Sequence, residues 1–272
     1  MDTEKEFLST YNMDKYERPS VTADVVAFKI THTDQCSSYR HEPECKLSIL
    51  LVKRGGHPFK GCWALAGGFL QKGETIEECA VREIQEETNI TPASMRFVGM
   101  FTEPNRDPRG WIISAVFASV MREGSMTDAV GGDDATDAKW FDISLDETEQ
   151  GKYSLHLQNG DISLSAVLKS ETTETGIHRF VIVENNGLAF DHASIIANAL
   201  TALRKEGIHF QSCFDFLPEE FTLTQLQRVQ EILLNTSMIP ANFRRKVADY
   251  VTETGNHTSG AGHRPAKLFR KK

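Results

Sequence analysis

The sequence predicts an α+β protein: a mixed sheet held between helices as an α/β/α sandwich, with a small second domain of helices and a hairpin at its C-terminal end. Three observations carry that prediction. Runs rich in β-branched residues recur from Val21 to Val183, separated by turns and by one sharply bounded helical pattern. A length of 272 residues, at roughly 150 per domain, leaves room for a second unit. Residues 211–272 then change to helix, helix and hairpin, and the sign of the charge changes with them. The expected division is 1–210 and 211–272.

Residues 21–30 (VTADVVAFKI) are the first predicted strand. Residues 47–53 (LSILLVK) are the second, and their nearly unbroken apolar run points to cover on both faces. A polar loop, 31–46, joins the two. Glycines punctuate residues 55–68, the helix follows at 75–88, and further strands are predicted at 95–101, 111–121 and 139–143. Residues 154–183 alternate strongly, with Asn159-Gly160 as a hairpin turn between two runs. The stretch at about 152–184 therefore reads as a β-insertion in the first domain. Residues 190–205 form a closing helix, and a linker is predicted near 207–218. Beyond it come helix 224–234, a turn with Pro240, helix 241–250, a glycine-rich reversal and a short strand, 266–269. No internal repeat or low-complexity tract is visible.

At 40% hydrophobic and 25% charged, the chain is composed like a folded soluble protein, which excludes a disordered one. No run approaches the ~18 apolar residues of a membrane span. The start, MDTEKEFLSTYNMDKYE, has neither the basic nor the apolar region of a leader, so a cytoplasmic protein without membrane contact is expected. Five cysteines are an odd number and too sparse for a disulfide scaffold. Cys36 and Cys45 flank His41 at a spacing that fits no zinc template, and read as part of a reduced surface loop. The net charge of −8 hides an asymmetry: from Thr236 onward eight Lys or Arg face two acids, a balance of +6 that leaves −14 on the rest. An acidic body with a basic tail asks for two different partners.

The informative segment runs from Gly68 to Ile90. Thr75 and Glu78 form a capping box that fixes the helix start, and Asn89 suits the left-handed residue after its end. Ala80, Ile84 and Thr88 share a face that can pack on a sheet. Glu83, Glu86 and Glu87, spaced i, i+3 and i+4, project from one side within about one turn, ~6 Å of rise. Carboxylates that close raise one another's pKa unless a cation neutralises them. Hard divalent ions, Mg²⁺ or Mn²⁺, take such oxygens and can shield a diphosphate and activate water. The alternative is a solvated glutamate face tied by pairs from Arg82 to Glu78 and Glu86.

The segment resembles the signature of the Nudix hydrolase family, G-x5-E-x7-R-E-U-x-E-E-x-G-U with U apolar. Gly68, Glu74, Arg82, Glu83, Ile84, Glu86, Glu87 and Ile90 match, and Asn89 stands where the family has glycine. Asparagine is the next-best left-handed residue, so the change is expected to be tolerated. The resemblance implies a Nudix α/β/α sandwich with Glu83, Glu86 and Glu87 as metal ligands and a Gly67 or Gly68 carbonyl as a further one. It also implies that Arg82 orients the glutamates and that Glu74 supports the loop–helix junction. Family members cut nucleoside diphosphates linked to another moiety, by water attack on phosphorus. The family's base is often a later acid, for which Glu123, Asp128, Asp133 and Asp134 are the candidates.

Two further stretches look like the Nudix subgroup associated with ADP-ribose: PNRDPRG, which carries Arg106 and Arg109, and LAFDH, which ends at His192. The arginines suit bidentate contacts to phosphate, and Phe101 or Phe190 suits stacking on a base. Asp191 is also placed to cap the closing helix. The C-terminal pattern looks like a winged helix-turn-helix domain of the kind found on NrtR-type repressors of NAD metabolism, and on relatives that retain hydrolysis. Arg244, Arg245 and Lys246 lie on the predicted second helix, and a wing from Gly255 to Gly262 leads into Arg264 and Lys267. These five are the DNA-contact candidates. The resemblance also implies a homodimer.

Three readings follow. The first is a Mg²⁺- or Mn²⁺-dependent hydrolase of ADP-ribose or a similar nucleoside diphosphate derivative, with a DNA-binding or regulatory tail. The second is a repressor that keeps the Nudix domain as a metabolite sensor. The third is a nucleotide-sanitising pyrophosphatase whose tail has no DNA role. The intact glutamate set favours the first, because a pure sensor has no physical need for three clustered carboxylates.

Overall fold

The computed structural model describes residues 3–32, 45–92, 94–121, 135–258 and 265–272. Before the sheet stands a short helix that the hydrophobic pattern did not announce, α1 (Glu4–Thr10), opened by a capping box between Thr3 and Glu6. The sheet then takes its strands in the order predicted. They are β1 (Ser20–His32), β2 (Cys45–Arg54), the two short strands β3 (Trp63–Ala64) and β4 (Ala66–Phe69), β5 (Met95–Phe101) and β6 (Ile112–Val120). After these come β7 (Ala135–Glu149), β8 (Lys152–Asn159), β9 (Ile162–Thr172) and β10 (His178–Asn186). Helix α2 (Ile76–Thr88) lies between β4 and β5, and α3 (His192–Gly207) follows β10.

The ten strands form one sheet in the order β10-β9-β8-β7-β2-β1-β6-β5, with β3 beside β2 and β4 beside β1. Among the described strand pairs, β1 and β6 alone run parallel, which makes the sheet mixed. Strands β8 to β10 continue the main sheet outward from β7 by antiparallel pairing, so the region expected as an insertion is an extension of the sheet itself.

Both faces are covered, and the sequence shows why. Along β1, Ala23, Val25 and Ala27 share one apolar layer with Leu50 and Val52 of β2 and with Cys79, Ala80 and Ile84 of α2. The alternate residues Val26 and Phe28 join Ile49 and Leu51 in the opposite layer, against Ile195, Ile196 and Leu200 of α3. A strand buried on both faces reads as a continuous apolar run because neither parity of side chain meets water.

Beyond α3 come α4 (Leu223–Leu234), α5 (Pro240–Val247) and a two-stranded hairpin of β11 (Val251–His257) and β12 (Lys267–Lys271). An isolated bridge from Phe221 to Phe269 ties the hairpin to the segment before α4. Helix α5 stops three residues short of its predicted end, where Tyr250 N–H donates to Val247 in a turn. The segment expected as a linker, 207–218, is a packed element. Phe210 and Cys213 are fully buried and Phe214, Phe216 and Leu217 nearly so, in the same apolar cluster as Leu200 of α3 and Leu226 of α4. Each buried phenylalanine is worth about 1.5–3 kcal/mol, so this stretch joins the two units. Polar bonds reinforce the joint: Gln230 Nε2 donates to the Gly207 carbonyl (2.8 Å), and Arg204 donates to the carbonyls of Leu233 (3.1 Å) and Leu145 (3.0 Å).

Candidate active site

Helix α2 is set by its ends. The Thr75 hydroxyl accepts from Glu78 N–H while the Glu78 carboxylate accepts from Thr75 N–H (2.7 Å), and Asn89 closes the helix in the left-handed conformation at φ 57°. Asparagine thus does the work of the expected glycine. Arg82 is the hub of the exposed side. It donates twice to Glu74 (3.0 and 2.8 Å), to Glu83 (2.7 Å), to Glu86 (3.0 Å) and to the Phe69 carbonyl (3.2 Å). Its guanidinium holds the Glu74 carboxyl down at about 2. Glu78 serves the cap and not the ion pair with Arg82.

The three helix glutamates stand differently. Glu87 points inward, accepts from Gly67 N–H (3.1 Å), and burial pushes its carboxyl up to about 8. Burial also raises Glu83 against the opposing pull of Arg82. Glu86 is half-exposed and held by Arg82. The two glycines opposite are required by close approach. A Cβ on Gly68 would lie 2.4 Å from the Glu83 carboxyl carbon, and one on Gly67 would lie 2.4 Å from the Ala23 carbonyl oxygen and 2.5 Å from Asp24 Oδ1. The Gly68 carbonyl has the Cys79 thiol 3.8 Å away.

This donor set suits a hard cation. Two carboxyls forced toward the neutral form by burial would be charged by a bound cation, and the absence of a side chain on Gly68 lets the Glu83 carboxylate lie against the backbone of β4. Among the described residues no three acidic, His or Cys side chains already converge as a metal cage. Glu86 has to leave Arg82 before all three glutamates can face one ion.

Glu83 and Glu87 open onto a cavity of about 480 Å³, shared with Asp24, Arg109, Phe190 and His192. The last two arrive because residues 187–189 run beside β3, with Trp63 N–H donating to Gly187 (2.9 Å) and Ala189 N–H to Trp63 (2.8 Å). At the mouth, the Arg109 guanidinium lies 5.0 Å from the Phe69 ring and 5.4 Å from the Phe190 ring, with Arg54 4.9 Å from Phe190. Such cation–π walls suit a flat base and an anion side by side.

Three placements differ from expectation. Arg106 lines the cavity but is nearly buried and gives two hydrogen bonds to Asp191 (2.8 and 2.7 Å), so it is committed to a protein partner. Asp191 accordingly gives no side-chain hydrogen bond to cap α3. Phe101 packs half-buried on the core and is not among the side chains lining the cavity, where Phe190 is. The four acids considered as base, Glu123, Asp128, Asp133 and Asp134, lie outside the described residues, as do Cys36 and His41. Asp24 was missed altogether; its one signal is a lone carboxylate inside an apolar strand.

In the C-terminal unit, Phe243 and Val247 bury the inner side of α5 while Arg244, Arg245 and Lys246 face solvent. Arg245 donates to Asn242 (2.6 Å), and the Lys246 ammonium lies 5.5 Å from the Phe210 ring. Lys267 on β12 pairs with Glu253 of β11 (2.9 Å); Arg264 lies outside the described residues. Among the described residues no helix is long and apolar enough to cross a membrane.

Comparison with known proteins agrees with both halves. Residues 40–154 match the NUDIX domain, and residues 213–270 match the NrtR DNA-binding winged helix domain. The ADPR responsive transcriptional repressor NtrR of Acinetobacter baylyi is 26% identical over 271 residues, 98% of this chain and 88% of its own. The ADP-ribose pyrophosphatase of Methanocaldococcus jannaschii is 49% identical over 96 residues, which span 35% of this chain and only 55% of that protein. The crystal structure of Shewanella oneidensis NrtR complexed with a 27mer DNA superposes with a TM-score of 0.58 at 26% identity, covering 93% of each chain. The carboxylate helix over its glycine-lined cavity, followed by a basic helix and a hairpin, is therefore a Nudix domain joined to a winged-helix domain, and the chain has the architecture of the NrtR type.

Proposed function

We propose that this protein hydrolyses the diphosphate of ADP-ribose or a similar nucleoside diphosphate derivative with the help of Mg²⁺ or Mn²⁺, and that its winged helix binds DNA. The observation that carries the hydrolytic reading is the pair of partly buried glutamates, Glu83 and Glu87, facing a cavity that Gly67 and Gly68 help to line. Glu83, Glu86 and Glu87 would hold the metal, with the Gly68 carbonyl beside them. The metal supplies charge for the diphosphate and acidity for water. Arg82 ties Glu83 to Glu74 at the loop–helix junction and holds Glu86 until a metal would draw it away. Arg109, held by Asp107 through Nε (3.0 Å) and Nη2 (2.7 Å), stands at the mouth, where its remaining edge would meet a phosphate, with Phe69 and Phe190 beside it for the base.

A second reading has its own support. A relative that matches nearly the whole chain is named an ADPR responsive transcriptional repressor, which favours a regulator that senses its ligand through the Nudix domain. The two are compatible, since an enzyme can cleave the ligand that controls its DNA binding. A cytoplasmic homodimer belongs to the same proposal, with light scattering reading the mass.

The test is purified protein with ADP-ribose and Mg²⁺, followed by chromatography for AMP, with Glu86→Gln and Glu87→Gln as controls. Turnover at about 1 s⁻¹ or faster that both variants lose supports the enzyme. Binding of ADP-ribose without turnover leaves the sensor, and wild-type rates in either variant refute the metal assignment.

A further inference from the structure

The hydrolytic machinery leaves two buried groups on the cavity floor without a task. Asp24 sits in β1 opposite Gly67 of β4, almost wholly shielded, and one carboxylate oxygen, Oδ2, takes the hydroxyl of Ser114. The other, Oδ1, has no hydrogen-bond partner among the described residues. Across from it stands Nε2 of His192, at 3.9 Å. That is too far for a direct hydrogen bond.

The His192 ring is fixed from behind. Its Nδ1 accepts the backbone N–H of Leu65 (2.9 Å), and a backbone amide can only donate, so Nδ1 carries no proton and the neutral ring has its proton on Nε2. Burial keeps the ring neutral, with its pKa lowered to about 4. The cavity floor therefore presents a donor, Nε2–H, and an acceptor, Oδ1, separated by a gap that one oxygen atom at ordinary hydrogen-bond length from each would bridge. An alcohol answers both, accepting from the imidazole and donating to the carboxylate. A phosphate oxygen would face the carboxylate with like charge.

We infer that Asp24 and His192 form a subsite that reads one hydroxyl of the ligand, on the sugar or polyol beyond the diphosphate. This rests on the nucleoside diphosphate reading of the cavity. The position follows from exposure: Phe69 and Arg109 stand in the open part of the cavity, whereas Asp24 and His192 are almost wholly shielded, with Asp24 opposite the Gly67 whose amide holds Glu87. The surroundings protect the pair's geometry. Arg106 Nη2 lies 4.0 Å from Asp24 Oδ2 but is committed to Asp191, and Phe190 packs on the His192 ring at 5.2 Å. The pair would set specificity for the distal moiety and leave the reacting phosphorus alone.

The test compares ADP-ribose with ADP, which shares the adenosine and the diphosphate but lacks the distal sugar. Both are titrated calorimetrically in EDTA into wild type, Asp24→Asn and His192→Gln, each variant first shown to melt above the assay temperature. Losing one hydrogen bond to a charged or buried partner should weaken ADP-ribose by about 10- to 100-fold in each variant, with ADP unchanged within about twofold. Equal weakening of both nucleotides would show that the pair serves the shared part, and unchanged ADP-ribose affinity would show that it reads no hydroxyl; either overturns the inference. If wild type binds neither nucleotide, the ligand reading itself falls, and the subsite with it.

Discussion

Adjacent glycines in β4 give opposite predictions, and together they separate the site from the fold. At Gly67 an added Cβ would meet backbone: the Ala23 carbonyl oxygen at 2.4 Å and the Asp24 Cα at 2.9 Å. Backbone in the middle of a paired strand cannot step aside, so Gly67→Ala must shift β4 from β1. Overpacking of this kind costs about 1–3 kcal/mol, read as a lower urea midpoint. At Gly68 the obstacles are the three terminal atoms of Glu83, at 2.4–2.5 Å. A flexible side chain can swing away, at the expense of its pair with Arg82, so Gly68→Ala should stay within about 1 kcal/mol of wild type. The glutamate cannot swing and also remain over the cavity. Displacement of about 1 Å costs on the order of 10²-fold in rate. Gly68→Ala should therefore melt like wild type yet lose at least that much Mg²⁺-dependent AMP release from ADP-ribose, with weaker Mn²⁺ binding by calorimetry. Full activity and metal affinity in Gly68→Ala would refute the role of Glu83, and a wild-type urea midpoint in Gly67→Ala would refute the close approach of β4 to β1.

Other consequences follow from the same contacts. Arg106→Ala strands the Asp191 carboxylate behind the cavity wall, and the loss of a buried partner should cost about 3 kcal/mol in urea unfolding. His192 is held near 4, below the ordinary 6.5, so between those values the unfolded chain takes up a proton that the folded chain refuses and stability rises with pH. Moving from pH 7 to pH 5 should cost wild type about 2 kcal/mol more than His192→Gln, despite the opposing field of Asp191 and Asp107 on the ring. Replacing Arg244, Arg245 and Lys246 with alanine should lower the salt dependence of DNA binding by about 3 in the log–log slope, measured by fluorescence anisotropy.

What the sequence disclosed is what local chemistry controls. Thr75, Glu78 and Asn89 bound α2 because caps satisfy the helix's own unpaired groups, and those groups are fixed by the chain within a few residues. The spacing of Glu83, Glu86 and Glu87 is likewise a property of one helix. The same holds for β1 and β2, where burial on both faces leaves no polar parity to interrupt the apolar run.

The corrections fall where two distant segments decide. Gly207 and Pro218 suggest a linker when read as breakers, yet Phe210, Phe214 and Phe216 between them need a core, and α4 supplies it only after the chain has turned. Arginine 106 reads as a phosphate ligand until Asp191, far along the chain, takes both arms of its fork. Asp24 and His192 are brought together by the pairing of β1 with β4 and of residues 187–189 with β3, neither of which leaves a mark in either residue's own neighbourhood. An aspartate within VTADVVAF still carried information. A carboxylate in a strand buried on both faces costs several kcal/mol unless something pairs with it, so its presence called for a donor from another element. Ser114 of β6 supplies one donor to Oδ2, and the unmet need of Oδ1 is what a ligand hydroxyl would fill.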